Sequence, residues 1–209
     1  MNFENLKNPL NLISRPFDGF WELKYELETK PNVILSIIIV FSLVVTNILS
    51  SQYSGFIVNI YNPDEMNSIL EVVYVVIPLL YWCIANWSLT TLMDGEGKFV
   101  QIFMATCFAL VPLVIINFPL IWISNFLTSQ EVMFYYLAQT FGLLWFVFLI
   151  FVGIMTVHQY TPAKTVLTIL LTFVAMGFMA FLTMLFFSLI QQIIAFITVI
   201  YQEIIFRYL

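Results

Sequence analysis

Few side chains in this sequence could do chemistry, and their spacing is poor for it. The single histidine, His158, lies in the connection His158-Gln159-Tyr160-Thr161-Pro162. One histidine cannot form a two-histidine metal pair, and it has no spaced serine and acid to make a hydrolytic triad. A histidine in such a connection is expected to be solvated. Cys83 and Cys107 are the only cysteines; each sits in an apolar stretch, with neither a CxxC pair nor zinc-site spacing. They read as small buried packing residues. No metal or cofactor is expected. Gly95 and Gly97 in Met93-Asp94-Gly95-Glu96-Gly97-Lys98 lack the Lys-Ser/Thr ending of a phosphate-cradling loop. Asp94 and Glu96 alone supply too few of the six to eight oxygens that calcium takes.

That loop is nevertheless the most informative polar segment. It must reverse the chain between two long apolar runs, and its glycines are expected to do so with positive φ. Asp94, Gly95, Glu96, Gly97 and Lys98 are the candidate docking site for a cytoplasmic or membrane partner, because exposed loops on a rigid scaffold commonly carry contacts. Inside the apolar runs, Asn47, Asn86, Asn117, Gln139, Thr90, Thr91, Thr140 and Thr156 are polar and uncharged, with Glu71 and Glu131 at the ends. Such side chains are expected to bond between helices, each worth about 0.6 to 2 kcal/mol. Proton or ion pathways need an ionisable group near the bilayer centre. The runs have none, which also removes the paired groups an intramembrane enzyme would use.

Composition says what must hold these residues. Of 209 residues, 62% are hydrophobic and 9% charged, against roughly 25% charged in a soluble domain. Lipid must cover this chain. Its net charge of -5 and pI near 4.7 exclude nucleic acid as a partner, since phosphate binding needs clustered Lys and Arg. A hydrocarbon layer about 30 Å thick takes about 20 apolar residues of helix. Five runs qualify: residues 32–49, 69–92, 99–126, 132–157 and 163–188. The third contains Pro112 and Pro119, each of which removes a backbone hydrogen bond, so a kink or tilt is expected. After the fifth, residues 190–208 are expected to form a separate helix, at the interface or packed on the bundle, with Ile190, Ile193, Ile194, Ile197, Ile204 and Tyr208 on one face. A sixth span, turned at residues 188–192, is the alternative. The fold class is therefore an all-α, polytopic integral membrane helical bundle of five transmembrane helices, or six.

Orientation follows from Lys and Arg. The opening thirty residues carry charges throughout and lack a signal-peptide core, so a cytoplasmic N-terminus is expected. Five spans then put Lys7, Arg15, Lys24, Lys30, Lys98 and Lys164 in the cytoplasm and only Arg207 outside. Residues 1–31 read as a cytoplasmic segment and 32–209 as one transmembrane domain. Within the segment, residues 16–28 place Phe17, Phe20, Trp21 and Tyr25 at helical spacing as an interfacial anchor, with Asp18, Glu22 and Glu26 elsewhere on the wheel.

Three segments resemble one family. Pro16-Phe17-Asp18-Gly19-Phe20-Trp21-Glu22-Leu23-Lys24-Tyr25-Glu26, the junction running from Asn86-Trp87 to Thr91-Leu92-Met93-Asp94-Gly95-Glu96-Gly97, and the ending from Glu203 to Arg207 are similar to bacterial members of the Yip1 domain family. The resemblance implies five spans, a cytoplasmic N-terminus and an outward C-terminus in the cell membrane. Eukaryotic members are linked to Rab GTPases and vesicle traffic. A counterpart of the long cytoplasmic N-terminal region of those members is not expected here, so that role is not carried over.

Two functions from different classes are expected. The first is a non-enzymatic scaffold or accessory subunit of a membrane complex, working by contact with the bilayer and a membrane-protein partner. The second is a transporter component, a permease-like subunit of a solute importer with carbohydrate among the candidate solutes. Asp94-Gly95 followed by Phe99 and Pro112 is similar to the coupling segment of importer permeases, although Leu89 stands where that segment's glutamate would be.

Overall fold

The computed structural model describes residues 12–25, 33–59 and 67–208. Of the positions named above, Lys7, Glu26 and Lys30 fall outside them. Helix α1 spans Pro16–Tyr25, opened by a proline whose missing N–H would be unpaired there anyway. Then come α2 (Val33–Tyr53) and α3 (Ser68–Leu92). The Asn67 side chain caps α3 by accepting the Ile69 amide proton at 2.9 Å. Next are α4 (Phe99–Ala109) and α5 (Val111–Ile123), a 3-10 turn at Ser124–Phe126, and α6 (Val132–His158). The last helix is α7 (Pro162–Tyr208). Five stretches among the described residues, counting α4, α5 and the 3-10 turn as one, are long and apolar enough to cross a membrane.

The two prolines of the third stretch behave differently. The break falls at Leu110, ahead of Pro112, where the Leu110 amide bonds back to Cys107 at 3.1 Å in a tightened turn. Pro112 has no N–H for the carbonyl four residues back, and its ring crowds that carbonyl. Pro119 is carried inside α5 without a break.

Helix α4 is the axis of the bundle. It packs on α2, α3 and α6, while α1 lies across α6 and α7 packs mainly on α3. Residues 104–109 of α4 are all buried. Ala105, Thr106, Cys107 and Ala109 keep that stretch slim enough for neighbouring backbones to approach, the way small residues act between membrane helices. Cys83 and Cys107 are buried free thiols, as packing residues should be. At the opposite end from the 93–98 loop, Ser124 Oγ accepts the Gly55 amide proton at 2.8 Å, and Asn125 Nδ2 donates to the Tyr53 carbonyl at 2.8 Å. These tie α2 to the end of α5.

The C-terminal expectation needs correction. No turn occurs at residues 188–192, so there is neither a separate helix over 190–208 nor a sixth span. Helix α7 is continuous for 47 residues, which at 1.5 Å per residue is about 70 Å. Beyond Pro162 it holds no proline, and its one glycine, Gly177, has no neighbour that a Cβ would meet; nothing local ends the ladder of hydrogen bonds. Nor does the far half pack on the bundle: Ile193, Ile194, Ile197 and Ile204 are all exposed.

Candidate functional site

The 93–98 loop turns between α3 and α4, but its glycines are not what bends it. The left-handed residue is Asp94, at φ 56°, and no described glycine has positive φ. The glycines are needed because His158 and its neighbours fill the space where side chains would be. A Cβ on Gly95 would lie 2.6 Å from His158 Nδ1 and 2.7 Å from the Tyr160 hydroxyl, and one on Gly97 2.6 Å from His158 Cε1. The Gly95 amide closes the end of α3 by donating to the Thr90 carbonyl at 2.8 Å.

His158 is the residue that sequence reasoning misjudged. It is 1% exposed, because Gln159 takes a left-handed conformation at φ 56° that ends α6 while His158, one residue earlier, still points into the bundle. Its Nδ1 accepts the Gly97 amide proton at 3.3 Å. That leaves Nε2 as the protonated nitrogen of a neutral ring, donating to Asn86 Oδ1 at 3.2 Å. Asn86 Nδ2 donates in turn to Thr172 Oγ1 at 3.2 Å, and Thr172 donates to the Thr168 carbonyl at 2.7 Å. One directional chain of hydrogen bonds thus runs from the loop through α6 and α3 to α7. His158, Asn86, Thr172 and Thr168 are buried, so the bonds among them are shielded from competing water, while Gly97 at the loop end is half-buried.

Around this chain stand aromatic and charged partners. Tyr160 stacks on His158, with ring centroids 5.3 Å apart, and donates its hydroxyl to the Met93 carbonyl at 3.0 Å. Burial pushes the Tyr160 hydroxyl pKa up, with the Asp94 carboxylate adding to it. Lys164 reaches the same carbonyl at 2.6 Å while lying 4.2 Å over the Tyr160 ring. From α1, Lys24 pairs with Glu96 at 2.7 Å, and its carbonyl accepts from Gln101 Nε2 at 3.3 Å. Gln101 Oε1 also accepts the Lys98 amide proton at 2.9 Å, fixing the start of α4. The loop therefore alternates. Gly95 and Gly97 face His158, while Asp94, Glu96 and Lys98 are exposed.

The aromatic residues of α1 divide. Phe17, Trp21 and Tyr25 are exposed, with the Trp21 and Tyr25 rings 4.5 Å apart. Phe20, expected among these anchors, does not share that surface: it is fully buried, and a Cβ on Gly153 of α6 would come within 3.1 Å of its ring. Helical spacing put Phe20 near Phe17 and Trp21 on the wheel but could not say that α6 offers a glycine notch to receive it.

The polar residues of the spans also behave less uniformly than expected. Thr90, Thr91 and Thr140 turn back to carbonyls of their own helices, and Gln139 donates to Tyr135 within α6. Of those predicted to bond between helices, Asn86 does so, to two partners. Thr165, Thr168 and Thr172, all buried on α7, were missed. Their signal was a three- and four-residue spacing that places three hydroxyls on one helix face.

Among the described residues no group of three or more His, Cys, Asp or Glu could hold a metal ion. Residues 10–185 match the Yip1 domain model. This chain belongs to the Yip1 family. The Yip1 match takes in α1, the 93–98 loop and the His158 chain, and it ends close to where α7 leaves the bundle. The protein is an integral membrane protein of that family, with several apolar helices. Neither a curated protein nor a solved structure matches it.

Proposed function

We propose that this Yip1-family protein is a non-enzymatic scaffold or accessory subunit of a complex in the cell membrane, with its N-terminus and the 93–98 loop in the cytoplasm and its C-terminus outside. One observation carries the reading: Asp94, Glu96 and Lys98 are presented outward from a loop whose inner side is locked by His158. Holding exposed polar groups in one arrangement before binding lowers the ordering cost of contact. Phe17, Trp21 and Tyr25 on α1 support the same picture as an interfacial anchor beside the loop, because Lys24 of that helix pairs with Glu96.

The permease-like reading has less support. The bundle's cavity is lined almost wholly by apolar side chains, and a carbohydrate path needs polar partners for its hydroxyls. The test is crosslinking in mild detergent from the intact chain and from the Asp94→Ala, Glu96→Ala double variant. A specific membrane partner that the double variant loses is the expected result. Recovery of no specific partner, or capture that the double variant leaves unchanged, would overturn the proposal.

A further inference from the structure

A cavity of about 590 Å³ lies in the bundle between α3, α6 and α7. Its α6 wall is residues 146–151, about halfway along that helix, so it sits at the depth of hydrocarbon. The closed end is made of buried side chains, among them Leu79, Trp82, Leu110 and Ile150. Tyr74, Val147 and Leu170 line it too but are strongly exposed, so the space opens sideways to the surrounding bilayer. The opening exists because α7 packs along α3 and touches α6 far less.

The wall offers almost nothing polar. Thr106 spends its hydroxyl on the Ile102 carbonyl at 2.8 Å, which leaves the Trp82 indole N–H, buried and without a hydrogen-bond partner, as a single donor. Water would find too few partners to be held there. Nor would the space stay empty: at the penalty per unit volume of emptied protein cores, a void this large would consume the whole net stability of a domain. It is about four times the volume of an engineered ~150 Å³ cavity that holds one benzene, room for a long chain rather than a single small ring. What surrounds the opening is acyl chain.

We infer that this cavity is a specific lipid site, taking one acyl chain of a bilayer phospholipid inward between α6 and α7 to rest against Leu79, Trp82 and Phe173. The site is independent of the scaffold reading. Tyr74, exposed and nearer the start of α3, puts a polar residue at the rim. The buried wall distinguishes this chain from the lipids that line the outside of any span, because a chain lodged there exchanges only by passing the rim.

The test uses the full chain in nanodiscs of phosphatidylethanolamine doped with the same lipid carrying a diazirine in one acyl chain. Expected is saturable labelling of the peptides holding Trp82 and Phe173, at a single lipid per chain. In Val147→Trp at the rim and Ile169→Phe inside, labelling there falls about tenfold or more. Val174→Trp, on the exposed outer side of α7, leaves it unchanged. Labelling spread evenly over the exposed positions of α7, or undiminished in Val147→Trp, means ordinary boundary lipid and overturns the inference. Val147 is exposed, so its variant retains the fold even if Ile169→Phe does not, and its result alone decides.

Discussion

The Nδ1 atom of His158 accepts the amide proton of Gly97 at 3.3 Å, across 61 positions of sequence, and this bond makes the loop between α3 and α4 part of the bundle. A histidine with that acceptor on one side must donate from the other, and Asn86 is there to receive. The ring is therefore held in one tautomer and one orientation by groups on two other segments.

Removing the ring should loosen the loop more than it damages the helices. His158→Ala strands the buried Asn86 Oδ1 at about 1–3 kcal/mol and frees the half-buried Gly97 amide from its acceptor. Amide hydrogen exchange at Gly97 is expected to speed up sharply while exchange in α4 changes little. Unchanged exchange at Gly97 would show that the bond contributes nothing.

The glycines give a paired prediction of opposite sign. Gly97→Ala forces a methyl against His158 and Val157 and should cost about 1–3 kcal/mol as overpacking. Gly177→Ala meets nothing within 4 Å in the interior of α7 and should gain about 0.5–1 kcal/mol from helix propensity. Thermal melts of both in one detergent give the comparison; equal shifts would refute the contact argument.

Asn86 and Thr172 should be coupled. A double-mutant cycle of Asn86→Ala and Thr172→Val measures the bond of 3.2 Å between them, with about 0.6 to 2 kcal/mol of coupling expected as for other hydrogen bonds between membrane helices. Strict additivity would mean that the bond is not formed.

Glu131, at the start of α6, accepts from the Thr128 amide at 3.0 Å and the Thr128 hydroxyl at 2.9 Å. These bonds favour the charged form and hold its carboxyl pKa below the ordinary carboxylate range, the backbone bond being the larger cause. A folded value lowered in this way stabilises the turn above the ordinary pKa and is lost as pH falls through the lowered one. Exchange protection of the Thr128 amide should follow that profile, and Glu131→Gln should flatten it.

Helix α7 past Ser188 should be dispensable to the bundle. Ile193, Ile194 and Ile197 touch none of the core, so a chain ending at residue 188 is expected to keep the melting temperature of the full chain. A drop of several degrees would show that the far half packs on something within the protein.

The spans, the all-helical class, the break near Pro112 and the position of the 93–98 loop were all legible in the sequence. Each depends on quantities carried along the chain itself: a length of apolar residues set against bilayer thickness, a missing N–H, a cluster of turn residues. Trp21 and Phe20 show where such reasoning stops. They are adjacent in sequence and similarly apolar, yet one is exposed and the other is sealed against Gly153, and only the packing of α1 on α6 separates them. The same holds for the end of α7, where amphipathic spacing suggested a second helix but nothing local broke the first.

By itself, then, the sequence determined that this protein is threaded through a membrane as helices and where its polar hairpin lies. Tertiary structure decided that His158 is buried, that the loop glycines serve clearance rather than positive φ, and which polar side chains bridge helices. A buried polar group is tolerable only when its partner is in place. For His158 and Asn86 that partner lies 72 positions away, a distance that no local pattern encodes.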